Sequence, residues 1–255
     1  MTAYFLPLGD GRFRATEHTS GPWDPRSQHA GPPSALLARA LEALVPDPAR
    51  MLARVTLEIL GPVPVDEVEV QAAVVRPGRS VEMLEAELRA GGRTAMRARA
   101  WSTLRTNADD VTDSATAPAR PETESAGPRT WPYSGYLRSI EWRFARGGWD
   151  EPGPATAWTR LRVPIVGDEQ PSPLQRVLAV ADSGSGISWV LPIGDWLFIN
   201  PELTVHVQRA AQGEWIALAA ETTIAQGGTG LARSVLCDDR GAVAYGAQSL
   251  LVAPR

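Results

Sequence analysis

Shifting the chain along itself by 148 residues lays one half of the sequence on the other. The stretch "VTLEILGPVPVDEVEV" (55–70) falls on "LTVHVQRAAQGEWIAL" (203–218), and "GRSVEMLEAELRAGGRTAMRARAW" (78–101) falls on "QGGTGLARSVLCDDRGAVAYGAQS" (226–249). Identities are few, but apolar positions coincide: Val55 with Leu203, Leu57 with Val205, Ile59 with Val207, Leu88 with Leu236. Both stretches carry a glycine turn before the last strand. Self-similarity without a gap over this length is the mark of an internal duplication. It limits the fold to two similar units, each a helix followed by antiparallel strands.

The elements follow from periodicity. "SALLARALEAL" places Leu37, Leu41 and Leu44 on one helical face, which predicts a helix over Ser34–Leu44. A second helix is predicted over Ser172–Asp182, with Ser172 as N-cap and Pro173 at the first helical position. Strict alternation marks strands: Val68, Val70, Ala72 and Val74 against Glu67, Glu69 and Gln71; Leu84, Ala86 and Leu88 against Glu85, Glu87 and Arg89. Met96, Ala98 and Ala100 alternate with Arg97 and Arg99 after a Gly91-Gly92 turn, completing a hairpin. Residues 106–130 have no hydrophobic period and are rich in Pro, Ala, Thr, Ser and acids, so a mobile, protease-sensitive linker is expected. The organisation read from the sequence is residues 1–105, a linker over 106–135, and residues 136–255.

Bulk properties exclude several classes. A net charge of −4 without a basic run argues against nucleic acid as a partner. One cysteine, Cys237, precludes a disulfide framework and fits a cytoplasmic setting. The opening "MTAYFLPLGDGRF" lacks the pattern of a signal peptide. No apolar run approaches the ~18 residues of a membrane span. The glycines of "AETTIAQGGTGLARS" (220–234) invite a phosphate-loop reading, but they lead into a strand and the GxxxxGK[ST] spacing is missing. They are expected to act by geometry, bending the strand so that the Thr223 hydroxyl turns inward.

"GPWDPRSQHAGPPSALLARALEAL", "ADSGSGIS", "WLFINPELTVHVQR", "GEWIALAAETTIAQGGTGLARS" and "AVAYGAQSLLV", in this order and spacing, resemble the thioesterase-like superfamily related to bacterial acyl-CoA thioesterase II. The resemblance covers the chain outside the linker. It implies an α+β, duplicated (double) hotdog fold, with a long helix packed on a curved antiparallel sheet in each half. It also implies water-mediated hydrolysis of an acyl-CoA substrate, no cofactor, no metal and a homo-oligomer. Carried over residue by residue, the family's acid, hydroxyl and amide fall on Glu202, Thr223 and Gln248, with Thr222 as the one-residue alternative to Thr223. The family pattern has Asp where this chain has Glu202. The first copy has Arg54, Val75 and Ala100 at the matching positions, so the site is expected in the second copy.

The residues admit other readings. Gln248 shares a strand face with small residues, where an amide without partners is costly. Thr223 is also an ordinary β-forming residue, and Glu202 an ordinary solvated acid. Asp182 sits at a helix C-terminus, which disfavours a carboxylate and implies a partner. His29, just before the first helix, is where a hotdog dehydratase would want a histidine. His206 shares strand parity with Glu202. Cys237 reads as a small buried hydrophobe. Trp189, Trp196 and Trp215 are candidates for an acyl pocket. A non-catalytic acyl-thioester- or lipid-binding protein on the same fold is the other reading of function.

Overall fold

The computed structural model describes residues 2–106, 115–129 and 134–255. Strands β1 (Phe5–Gly9) and β2 (Arg12–Ala15) are followed by α1 (Gly31–Ala43) and by β3 (Arg50–Ile59), β4 (Glu67–Arg76), β5 (Val81–Ala90) and β6 (Arg93–Leu104). The second half begins with the single turn α2 (Gly135–Arg138), then β7 (Ile140–Gly148), β8 (Glu151–Leu161), α3 (Pro173–Ala181) and the single turn α4 (Gly184–Ile187). Strands β9 (Trp196–Ile199), β10 (Glu202–Val207), β11 (Ile216–Ala225), β12 (Thr229–Asp238) and β13 (Gly241–Pro254) complete it.

All the strands join one sheet, in the order β1-β2-β4-β5-β6-β3-β10-β13-β12-β11-β8-β7, with β9 added beside β13. The order is palindromic about the β3–β10 pair. So is the register. Thr56 lies opposite Thr204, its own counterpart under the 148-residue shift. The same shift takes the pair Val70–Leu88 to Leu218–Leu236, Leu84–Ala100 to Ala232–Gln248, and Leu57–Ala98 to Val205–Gly246; each is a pair in the sheet. The duplication therefore folds about a pseudo-twofold axis through Thr56 and Thr204.

Both helices lie on one face of the sheet. The helix α1 packs on β4, β5 and β6, and α3 on β11 and β12. They also pack on each other, antiparallel, because Gly31 at the start of α1 meets Ala179 near the end of α3, while Glu42 near the end of α1 accepts hydrogen bonds from Ser172 and Gln175 at the start of α3. The alternating apolar residues fill the space between: Leu36, Leu37, Leu41, Val55, Leu57, Leu84, Leu88, Val177, Leu178, Leu203, Val205 and Leu236 are all buried.

Helix α1 starts three residues before the expected Ser34, since Pro32 and Pro33 occupy the first turn, where no N–H is required. Helix α3 has Ser172 as N-cap, its hydroxyl accepting from the Gln175 N–H at 3.1 Å, and Asp182 as C-cap. The hairpin turn at Gly91-Gly92 has positive φ at both residues.

Part of the expected linker is not loose. Residues 107–114 and 130–133 lie outside the described residues. The segment 115–129 runs without helix or strand over the face of the sheet opposite the helices. Ala115 accepts a hydrogen bond from Ala242 N–H, and Ser125 bonds to strand β7 at Trp142 and Phe144. Arg120 lies over the rings of Trp158 and Trp215. Composition lacking a core period does not prevent a segment from covering someone else's aromatic residues.

The close approach of α1 to α3 requires a glycine. A Cβ on Gly31 would stand 2.2 Å from the Ala179 carbonyl oxygen. Gly31→Ala should lower unfolding free energy by about 1–3 kcal/mol, the usual range for forcing extra volume into a packed site. Gly194→Ala, where a Cβ meets nothing within 4 Å, should leave it unchanged. Urea unfolding of both variants checks this.

Candidate active site

The antiparallel helices bring the N-terminus of α1 beside the C-terminus of α3, and a cavity of about 490 Å³ opens there. Trp23, Ile59, Val63, Phe198 and Leu251 form its apolar walls; His29, Asp182, Ser185 and Asn200 form its polar part. Trp23 meets Phe198 edge to face at 5.2 Å.

Asp182 is the centre of the polar part. Its side chain is 6% exposed and lies at a helix C-terminus, where the dipole is unfavourable to negative charge. Donors offset that cost. Asn200 Nδ2 donates to Asp182 Oδ1 at 2.8 Å, and Gln248 Nε2 donates to the same oxygen at 3.2 Å and to the Asp182 carbonyl at 3.1 Å. Gln248 Oε1 accepts from the Ser185 N–H at 3.2 Å, so both ends of this buried amide are satisfied. The other carboxylate oxygen, Oδ2, stands 3.3 Å from His29 Nδ1.

On the same face of the sheet, Thr222, Ala232 and Gln248 form a row across β11, β12 and β13. The Thr222 hydroxyl is buried and shares a 2.7 Å hydrogen bond with Ser188 Oγ, just beyond α4. The His29 ring stacks on Tyr136 at 3.7 Å and 8°. Tyr136 hydroxyl donates to the Ala179 carbonyl at 2.9 Å and lies 2.7 Å from Ser183 Oγ. Burial holds the Tyr136 phenol well above its ordinary range, so it stays neutral. Burial also lowers the His29 imidazole below its ordinary value, against the opposing pull of Asp182.

The structure does not bring Glu202, Thr223 and Gln248 together. Gln248 occupies the inner face. Thr223 is exposed on the outer face, where its hydroxyl reaches only the Leu231 carbonyl at 3.4 Å. The reason is strand parity: the glycines Gly227 and Gly228 make a left-handed turn between β11 and β12, beyond Thr223, and do not rotate it. The one-residue alternative, Thr222, is the inward hydroxyl. Glu202 alternates with the buried Leu203 and also faces outward, accepting from the Ser249 N–H at 2.6 Å. The carboxylate at the site comes instead from Asp182, reached from the strand side by Asn200, two residues before Glu202.

Other candidates sort similarly. His206 is exposed on the outer face of β10. Cys237 is buried. Trp215 lies against Arg120, Arg143 and Arg160, away from the cavity. Trp189 and Trp196 pack in the apolar cluster around Phe198 that backs the cavity wall, and Trp23 is the tryptophan that lines it. Ser185, Ser188 and Asn200 carry no pattern that sequence reading could have singled out. The signal for Asp182 was its unfavourable position at the end of an apolar helix.

Models of the acyl-CoA thioesterase N-terminal domain and of the acyl-CoA thioesterase C-terminal domain match residues 19–103 and 111–252. The chain belongs to the acyl-CoA thioesterase family, and the class of enzyme this defines is thioester hydrolase. No curated protein matches the sequence. Among solved structures, it is similar to a hot dog fold protein of unknown function from Alicyclobacillus acidocaldarius (TM-score 0.74, 16% identity, 97% of this chain and 95% of that one). It is also similar to the tesB protein of Mycobacterium avium subs paratuberculosis (0.69, 17%, 98% and 96%). A third similar structure is the acyl-CoA thioesterase II TesB2 of Mycobacterium marinum (0.69, 13%, 98% and 95%). At these identities the structures establish the fold, a hotdog with a large antiparallel sheet.

The lowered His29 value has a consequence for stability. An unfolded imidazole takes its proton near pH ~6.5, whereas folded His29 takes it only at lower pH. In that window the unfolded chain binds more protons, so stability is lost as pH falls below about 6.5. Urea unfolding at about pH 7 and about pH 5 should show this loss in the wild type and a smaller one in His29→Asn.

Proposed function

We propose that this protein hydrolyses acyl-CoA thioesters, with the acyl chain in the cavity walled by Trp23, Phe198, Ile59 and Val63. The chemistry is placed at its polar end. The chain is read as two tandem hotdog units, residues 1–105 and 136–255, each carrying one helix; the palindromic strand order and the paired registers support that division. The observation that carries the function is the buried Asp182, bonded to half-buried Asn200 and buried Gln248 at the edge of an apolar cavity, with the buried Thr222–Ser188 hydroxyl pair on the same face of the sheet. Buried polar groups of this kind are costly unless paired, and here Asp182 and Gln248 are both paired.

A water held by this set is aimed at the thioester carbonyl carbon, and positioning of that kind removes much of the barrier. Its proton is taken up at the Asp182 end of the network. The amide of Gln248 and the hydroxyl pair Thr222–Ser188 orient without accepting a proton. The first half lacks the same equipment, since the counterparts of Thr222 and Gln248 are Val74 and Ala100.

Release of free CoA thiol from a panel of acyl-CoAs tests the reading. Asp182→Asn should lower turnover by ~10²–10⁴-fold, the scale of general base catalysis. Gln248→Ala and Thr222→Val should lower it less. Glu202→Gln and Thr223→Val should leave it near wild type, because both side chains face away from the cavity. Wild-type protein that binds acyl-CoA but releases no thiol overturns the hydrolytic reading in favour of a binding protein.

A further inference from the structure

His29 does not appear in the hydrolytic set just described, yet it is among the residues lining the cavity and its Nδ1 stands 3.3 Å from Asp182 Oδ2. Two groups compete for that nitrogen. Gly31 N–H points at it from 3.1 Å, and Asp182 Oδ2 stands 3.3 Å away. A neutral ring nitrogen either carries a proton or offers a lone pair. With a lone pair it accepts from Gly31 but faces the carboxylate lone pairs. With a proton it donates to Asp182, which takes a small turn of the ring away from Gly31. A charge-assisted bond to a buried carboxylate is the stronger of the two.

We infer that His29 and Asp182 act as a pair, with Nδ1–H donated to Asp182 Oδ2 and Nε2 as the proton acceptor for the attacking water. This rests on the hydrolytic reading above and refines it: the proton assigned there to the Asp182 end of the network goes to Nε2, and Asp182 holds the ring in place. The water oxygen bonds to the carbonyl carbon as one of its O–H bonds breaks, and that proton goes to Nε2. The carbonyl electron pair moves to oxygen. The C–S bond then breaks with its electrons on sulfur, and Nε2 returns the proton to sulfur, leaving free acid and CoA thiol. Nε2 has no protein partner among the described residues.

The groups around the ring are few. Asp182 faces Nδ1, Tyr136 lies flat against the ring and stays neutral, and Asp24 across the cavity is paired with Arg26. The acid limb of activity is therefore set by His29, shifted below its ordinary value by burial.

Two measurements test the pairing. The first needs no substrate: ¹⁵N-detected NMR of the three histidine rings in the full chain, with His18 and His206 as internal references. His29 should be the Nδ1–H tautomer, and Asp182→Asn should lower its titration point while leaving the other two in place. An Nε2–H tautomer, or a His29 titration indifferent to Asp182→Asn, overturns the inference. The second uses thiol release from acyl-CoA across pH in folded His29→Asn and His29→Gln. Both should lose ~10²–10⁴-fold in kcat with little change in KM, and lose the histidine acid limb. Full kcat with an unchanged acid limb in either variant overturns the inference while leaving thioester hydrolysis standing. Absence of hydrolysis in the wild type overturns both the parent reading and this one.

Discussion

One antiparallel strand pair, β3 with β10, sets the geometry of everything else in this molecule. Because Thr56 meets Thr204, its own counterpart, the strand registers of the two halves are related by a pseudo-twofold axis through the pair. That axis forces the two sheets into one and forces the two helices to run antiparallel on the same face. Antiparallel helices place the start of one beside the end of the other, twice. At one of these meetings Glu42 accepts from Ser172 and Gln175 at the start of α3. At the other, Gly31 packs against the Ala179 carbonyl and brings His29 to Asp182.

The two meetings are alike in geometry and different in chemistry. The second has an amide from β13 meeting a carboxylate from the end of α3, with the Thr222 hydroxyl of β11 on the same sheet face. The first half offers valine and alanine at the strand positions that correspond to Thr222 and Gln248. A duplicated fold can keep one equipped end and leave the other to packing, since the sheet register is held by apolar contacts that both copies retain. Asp182 pays for its position against the helix dipole through Asn200 and Gln248, which both donate to the same carboxylate oxygen.

The outer face of the sheet has its own logic. It carries charged rows such as Glu85, Glu87, Arg97 and Arg99, paired across β5 and β6. In the second half it also carries Trp158 and Trp215. Segment 115–129 crosses these aromatic residues, with Arg120 stacked on both rings and Arg143 reaching the Pro121 carbonyl. Hydrogen bonds and cation–ring contacts hold the segment where no apolar period exists to bury.

Periodicity made the sheet, both helices and the duplication legible, because apolar spacing records which face of an element is buried whatever its partner. The 148-residue repeat went further, since a duplicated pattern implies a shared register. Gln248 was legible for the same reason: an amide on a face of small residues needs partners. The acid and the hydroxyl were not settled that way. A carryover by position along the chain cannot see that Glu202 and Thr223 face outward, whereas a one-residue step along a strand reverses the face. Asp182, Asn200, Ser185, Ser188 and His29 lie on helix ends and connecting loops, and only the antiparallel packing of α1 on α3 brings them to one place. The sequence by itself determined which residues are buried and that the halves match; the tertiary structure decided which buried polar groups meet, because that depends on how two helix ends cross and not on any spacing along the chain.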